Sequence, residues 1–271
     1  MMAGIAGEAA EAVRERRAVR LPVASEERVW WASGLLLVIV IWQVYAAINT
    51  NALIVGPWEV AVATVELIST GELWSYARSS AVSMTLGMLV GSLAGLLVGL
   101  LIGRYRLVEI ALDPYISAAY ATPLVAIIPV LIVLIGFGLV SKIVIVAIFV
   151  FFPVVINTAA GVRGVPRDLT ELARSFCSTE LQTWREIVVP AALPFIVTGL
   201  RLAVGRGLIG VVVAEFETAV TGLGYLILSK SRRFLMAESL VPVVVLMLVG
   251  FLLYGGLKRI ENRMLARRQG P

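Results

Sequence analysis

The chain has 271 residues, 59% hydrophobic and 15% charged, with a formal net charge of +5 and an isoelectric point near 9.7. That balance is too apolar for a soluble domain of this length and places the chain in a membrane. With no histidine and one cysteine, it excludes a Cys/His metal cluster, a Ser-His-Asp triad and an internal disulfide.

Residues 1–28 form a charged tail. Within it, residues 4–20 (GIAGEAAEAVRERRAVR) have an apolar Ala/Val side and read either as an interfacial helix or as an unstructured tail. The first apolar run is of full spanning length and follows a long charged stretch, so no cleavable signal peptide is expected. A span needs about 20 mostly apolar residues, and six are predicted: 29–48, 80–102, 115–135, 143–160, 193–216 and 240–257. Residues 29–260 are read as one six-span domain, an all-α membrane fold, and 261–271 as a second tail.

Lysine and arginine set the orientation, because short loops rich in them stay cytoplasmic. With both termini inside, 16 fall on the inner side. The outer side holds 5: Arg78, Lys142, Lys230, Arg232 and Arg233. This asymmetry accounts for the basic isoelectric point without a nucleic-acid partner.

In the second span, Gly87, Gly91, Gly95, Gly99 and Gly103 recur every fourth residue, the pattern of a close helix-packing face. The third span carries Pro123 and Pro129, each lacking a backbone donor; both are expected to bend a helix at membrane depth, where a pathway can open or a kink simply packs. Tyr115, Tyr120 and Thr122 stand nearby and read as polar contacts for a solute or, for the tyrosines, as interfacial anchors.

The loop at 166–190 is polar and charge-rich between apolar spans. Asp168 and Glu171 have capping-box spacing for one short helix. Ser178 or Thr179, with Gln182, caps a second that ends near Ile187. The result is a helix-turn-helix, which Pro190 and Pro194 are expected to stop before the fifth span begins.

The fifth span holds two arginines, costly at the bilayer centre unless paired or hydrated. Arg206 lies about 18 Å beyond Pro194 at 1.5 Å per residue, near mid-membrane. Arg201 and Glu215 fall within about 40° of one face yet about 21 Å apart, so each must face a cavity, a neighbouring helix or a second copy. Arg206 is read either as an anion-attracting group or as a structural pair, and Glu215 as a group ordering the outer end.

The spacing Glu171, Leu172, Ala173, three residues, Cys177, nine residues, Ile187, one residue, Val189, Pro190 resembles the EAA loop of permease subunits of type I ABC importers. Cys177 stands where that loop has glycine and Val189 where it has leucine. Residues 121–142, with Pro123, Ala126, Pro129, Gly136, Gly138, Ser141 and Lys142, resemble the nitrate, sulfonate and taurine branch of those permeases, as do residues 199–216 and 222–227. The resemblance covers nearly the whole chain from Val29.

It implies a six-helix permease in a prokaryotic plasma membrane, a homodimer fed by an extracytoplasmic solute-binding protein. Glu171, Ala173, Cys177, Ile187 and Pro190 would belong to a cytoplasmic element that docks on two copies of a separate ATPase. ATP and Mg would bind there, since this chain has no Gly-x-x-x-x-Gly-Lys-Ser/Thr loop, and no cofactor is expected on this chain. The implied cargo is a small oxyanion such as nitrate, bicarbonate, taurine or another sulfonate. A pyrimidine precursor, riboflavin or an aromatic carboxylate is the alternative, and an ATP-independent channel or secondary transporter the second.

Overall fold

A computed structural model describes residues 24–49, 51, 53–218 and 220–268. Residues 4–20, with their candidate interfacial helix, lie outside the described residues. The elements are α1 (Ala24–Ile48), α2 (Pro57–Ser69), α3 (Glu72–Arg104), α4 (Arg106–Ala121), α5 (Leu124–Ile135), α6 (Leu139–Arg163), α7 (Arg167–Ser175), α8 (Glu180–Thr183), a π-turn (Trp184–Val188), α9 (Val189–Thr218), α10 (Leu223–Arg232) and α11 (Met236–Arg268). Among the described residues, five helices are long and apolar enough to cross a membrane, and α4 with α5 makes a sixth if the bent pair is one span. The chain is an all-α, multi-pass membrane protein, as its apolar runs predict.

Two compact units divide it, Met1–Glu59 and Val60–Pro271. In the first, the Trp42 indole donates to the Val55 carbonyl at 3.0 Å, and Gln43 accepts the Trp58 amide at 3.1 Å. The Gly56 amide donates to the Glu59 carboxylate at 3.0 Å, capping the start of α2, where Pro57 has no amide to leave unpaired.

The second unit is built around α6, which is 61% buried along its apolar window, against 11% for α11. Met84, Val146, Val150, Val154, Ala203 and Val211 form a continuous core where α3, α6 and α9 meet. The glycine stripe of α3 faces α6, as its four-residue repeat predicts. A Cβ on Gly95 would stand 2.9 Å from the Phe151 carbonyl oxygen and from Val154 Cβ, and one on Gly99 would stand 2.7 Å from Thr158 Cβ. From α9, a Cβ on Gly199 would reach Asn157 Cβ at 2.9 Å. Only hydrogen at these positions lets the backbones approach so closely.

Four sequence expectations need correction. Pro123 does break the third span: it caps α5, and α4 and α5 meet at 100°. Pro129 does not; it sits within α5, where its missing amide removes the bond to the carbonyl four residues back while the flanking bonds keep the helix. Pro190 and Pro194 do not stop the second loop helix either. The stretch Glu180–Thr218 is one continuous span, because the π-turn widens the helix ahead of Pro190 and the Val189 amide reaches back to the Trp184 carbonyl. Asp168 is not a cap: α7 starts at Arg167, so the carboxylate lies in the first turn, where it meets the positive end of the helix dipole.

Two helices escaped the sequence reading. α2 and α10 are short and mixed in composition, below the length that marks a span. α10 is fastened by Lys230, whose ammonium lies 3.1 Å from Glu72 and 2.7 Å from Glu238. Burial works against the Lys230 charge, but the bonds to Glu238 and Glu72 outweigh it and raise its pKa above the usual lysine value.

Candidate functional site

The loop expected to meet a soluble partner folds as a helical hairpin. α7 ends in a Schellman turn: the Ser178 amide donates to the Ala173 carbonyl at 3.1 Å, and Cys177 takes a left-handed φ of 56°. The glycine of the resembling loop would sit there without strain; Cys177 keeps the same turn at the expense of a crowded Cβ. Cys177→Gly should therefore raise thermal stability by about 1 kcal/mol, read as an upward shift in the melting temperature of the purified protein. Beyond the turn, Thr179 caps α8 with the reciprocal Gln182 bond that its spacing predicts.

The hairpin presents an apolar edge outward. Leu172, Phe176 and Leu181 are 55%, 77% and 78% exposed. Ala173 is buried beneath, which lets α7 lie close to its support, and Ile187 and Pro190 are half-buried. Glu171 is exposed, and its carboxylate has no hydrogen bond or ion pair among the described residues. The inner side is anchored to α3 by Arg104, which pairs with Glu180 while its guanidinium lies 4.9 Å from the Trp184 ring centroid. Val188, Ala192 and Ile196 then pack on Val162 of α6. The second arm of the hairpin, α8, thus runs through the π-turn into the fifth span as one continuous helical stretch, Glu180–Thr218.

The membrane pathway candidates separate into two groups. Arg206 reaches Tyr120, with Nη2 3.3 Å from the phenol oxygen and the guanidinium 5.5 Å from the ring centroid. Tyr120 in turn packs on Phe152 at 5.9 Å. Arg206 is exposed and pairs with no carboxylate among the described residues. Thr122 and Pro123 form the break one half-turn beyond Tyr120, although the Thr122 hydroxyl is occupied by the Ala118 carbonyl at 3.0 Å. A cavity of about 360 Å³ lies between α4, α5 and α6, lined by Thr122, Leu124, Ile128 and Phe149. Below it, Arg163 fastens α6 to α4 through Glu109 at 2.6 Å and Asp113 at 3.5 Å.

Arg201, Glu215 and Pro129 lie elsewhere. Arg201 meets a neighbouring helix: it pairs with Glu261 of α11 at 2.5 Å and lies over Tyr254 at 5.5 Å. Glu215 is fully buried, with Ser80 and Lys142 as partners. These pairings escaped the sequence reading, because each partner lies tens of residues away on another helix and no local spacing marks them. Among the described residues no group of three acidic, His or Cys side chains could hold a metal.

The described residues thus combine an exposed apolar hairpin with a bundle in which one span is broken. Residues 87–266 match the family of binding-protein-dependent transport system inner membrane components. The chain is 35% identical over 265 residues to the putative aliphatic sulfonates transport permease protein SsuC of Bacillus subtilis (strain 168), covering 96% of this chain and 93% of that one. It is also 35% identical over 243 residues to the riboflavin transport system permease protein RibX of Chloroflexus aurantiacus, covering 86% and 91%. An inward-facing structure of the MetNI methionine ABC transporter shares the fold at a TM-score of 0.58 and 19% identity, over 69% of this chain and 93% of that chain. The chain belongs to the binding-protein-dependent transport system inner membrane component family. It is a type I ABC importer permease.

Proposed function

We propose that this permease forms the translocation path for a small oxyanion, a sulfonate before the others, and is driven by a separate ATPase that grips the α7–α8 hairpin. The observation that carries the cargo reading is Arg206: an exposed guanidinium within the fifth span that, among the described residues, is held only by Tyr120 beside the break in the third. A cation kept at membrane depth without a carboxylate costs several kcal/mol unless something hydrates or neutralises it. A passing anion supplies that compensation. The sulfonate relative supports the same cargo class.

In this reading two copies face each other across the path, and each contributes Arg206. Two ATPase subunits bind ATP and Mg, close, and drive the hairpins together. Each hairpin continues as the rod of α9, so its displacement reaches the membrane core. An extracytoplasmic binding protein delivers the solute, hydrolysis restores the inward-open state, and both termini lie in the cytoplasm.

The test is ATP hydrolysis in proteoliposomes holding the permease with its ATPase, adding the binding protein loaded with taurine, nitrate, bicarbonate or a neutral pyrimidine. Stimulation by anions alone, with Arg206→Gln reducing anion uptake about 10-fold or more at unchanged assembly, is the expected result. Stimulation only by a neutral solute, or wild-type anion uptake by Arg206→Gln, overturns the oxyanion reading. The riboflavin relative makes riboflavin or another neutral solute the alternative in that event.

A further inference from the structure

The far end of the rod carries a buried polar cluster that the transport reading does not use. Glu215 lies about 39 Å beyond Val189 along α9 at 1.5 Å per residue and is 0% exposed. Its carboxylate accepts the Ser80 hydroxyl at 2.8 Å from α3 and the Gly224 amide at 2.8 Å from α10. It lies 3.8 Å from the Lys142 ammonium of α6. Lys142 also donates to the Thr221 carbonyl, and Ser80 Oγ accepts the Leu223 amide at 2.7 Å. Gly222 takes a φ of 117°, and a Cβ there would run into the Glu215 carboxylate. Three spans and the loop leading into α10 are therefore tied at one point.

Stability alone does not call for charges here, because well-packed apolar side chains of similar volume hold a buried site as well or better. Their place relative to the glycine stripe is informative. From Gly103 to Gly87 the backbones of α3 and α6 are locked by close approach, and the stripe then ends. Ser80, two turns further on, begins the polar cluster. Close packing joins the helices on the hairpin side, and the ion pair joins them at the other.

We propose that Lys142 and Glu215 are positioning residues for transport: they pin the far ends of α3, α6 and α9 so that the three move as one rigid body when the hairpin is displaced. This rests on the hairpin being the coupling element. Without the pin, the far end would lag and ATP would be hydrolysed without solute movement.

The experiment compares wild type, Glu215→Gln, Lys142→Met and the double variant, by amide hydrogen exchange on the full chain and by solute moved per ATP in the assembled transporter. Each single variant strands one buried charge and is expected to lower the yield of assembled protein. The double variant removes both charges and should assemble like wild type, yet it lacks the Lys142 bond to Thr221. Exchange at Leu223 and Gly224 is expected to quicken about 10-fold or more in it, with a drop of at least 5-fold in solute moved per ATP (roughly the loss of one hydrogen bond) and retained ATP hydrolysis. Slow exchange at both amides in the double variant overturns the pin. Faster exchange with a wild-type transport ratio overturns its role in transport and leaves it structural. If the wild-type complex itself shows no coupled hydrolysis, the coupling reading fails, and the exchange measurement still decides the pin.

Discussion

Gly91→Leu should abolish recovery of folded, monodisperse protein, the largest loss expected from any single substitution in the bundle. A Cβ on Gly91 would already collide with the Ala147 carbonyl of α6, and it would stand 2.9 Å from the Ala147 Cα and from Val150 Cβ. The first obstacle is backbone, so no rotamer change relieves it. Overpacking a core costs about 1–3 kcal/mol when neighbouring side chains can shift; here α3 would have to withdraw from α6 along the whole stripe, emptying contacts at Gly87, Gly95 and Gly99 as well. Gly205→Ala is the control, since nothing lies within 4 Å of a Cβ there, and its effect should stay within about 1 kcal/mol of wild type. Size-exclusion profiles and melting temperatures of both variants in detergent are the measurement. A Gly91→Leu protein that elutes and melts like wild type would mean that α3 and α6 do not pack through this stripe.

That stripe was legible because its physics is local. A glycine every fourth residue in an apolar run leaves one face without side chains, whatever it later packs against. The hairpin was legible for a similar reason: Thr179 and Gln182 cap each other within four residues, and Cys177, at the glycine position of the resembling loop, takes a left-handed backbone. Three of the four prolines misled. A missing amide is a local fact, but its consequence depends on whether the helix can reroute one bond, and the π-turn before Pro190 does so. Least legible was the pairing of charges. Arg201 with Glu261, and Lys142 with Glu215, join residues 60 and 73 positions apart, and only the packing of α9 against α11 and α6 brings them together.

On the proposed docking of an ATPase at the α7–α8 hairpin, Phe176→Asp should leave the permease folded and strip it of its motor. Phe176 is 77% exposed at the hairpin turn and contributes little to the fold, so melting temperature and assembly of the permease alone should match wild type within about 0.5 kcal/mol. Covered by a partner, a phenyl ring of this size is worth about 1.5–3 kcal/mol of apolar burial, and an aspartate in the same place adds the cost of a desolvated charge. Together these weaken docking by at least two orders of magnitude, roughly the 2.8 kcal/mol that a hundredfold change in affinity represents. In the proposed dimer, two hairpins multiply the loss. Leu172→Asp, next to Glu171 in α7 and one turn before Phe176, should act likewise, whereas Glu171→Gln removes one charged contact without burying a new one and should weaken docking by a smaller factor, about 10-fold. Pull-down of the ATPase by each variant, together with binding-protein-stimulated hydrolysis, separates the cases. Wild-type ATPase binding by Phe176→Asp and Leu172→Asp would move the docking surface off this edge and leave the exposed apolar side chains of α7 without a purpose.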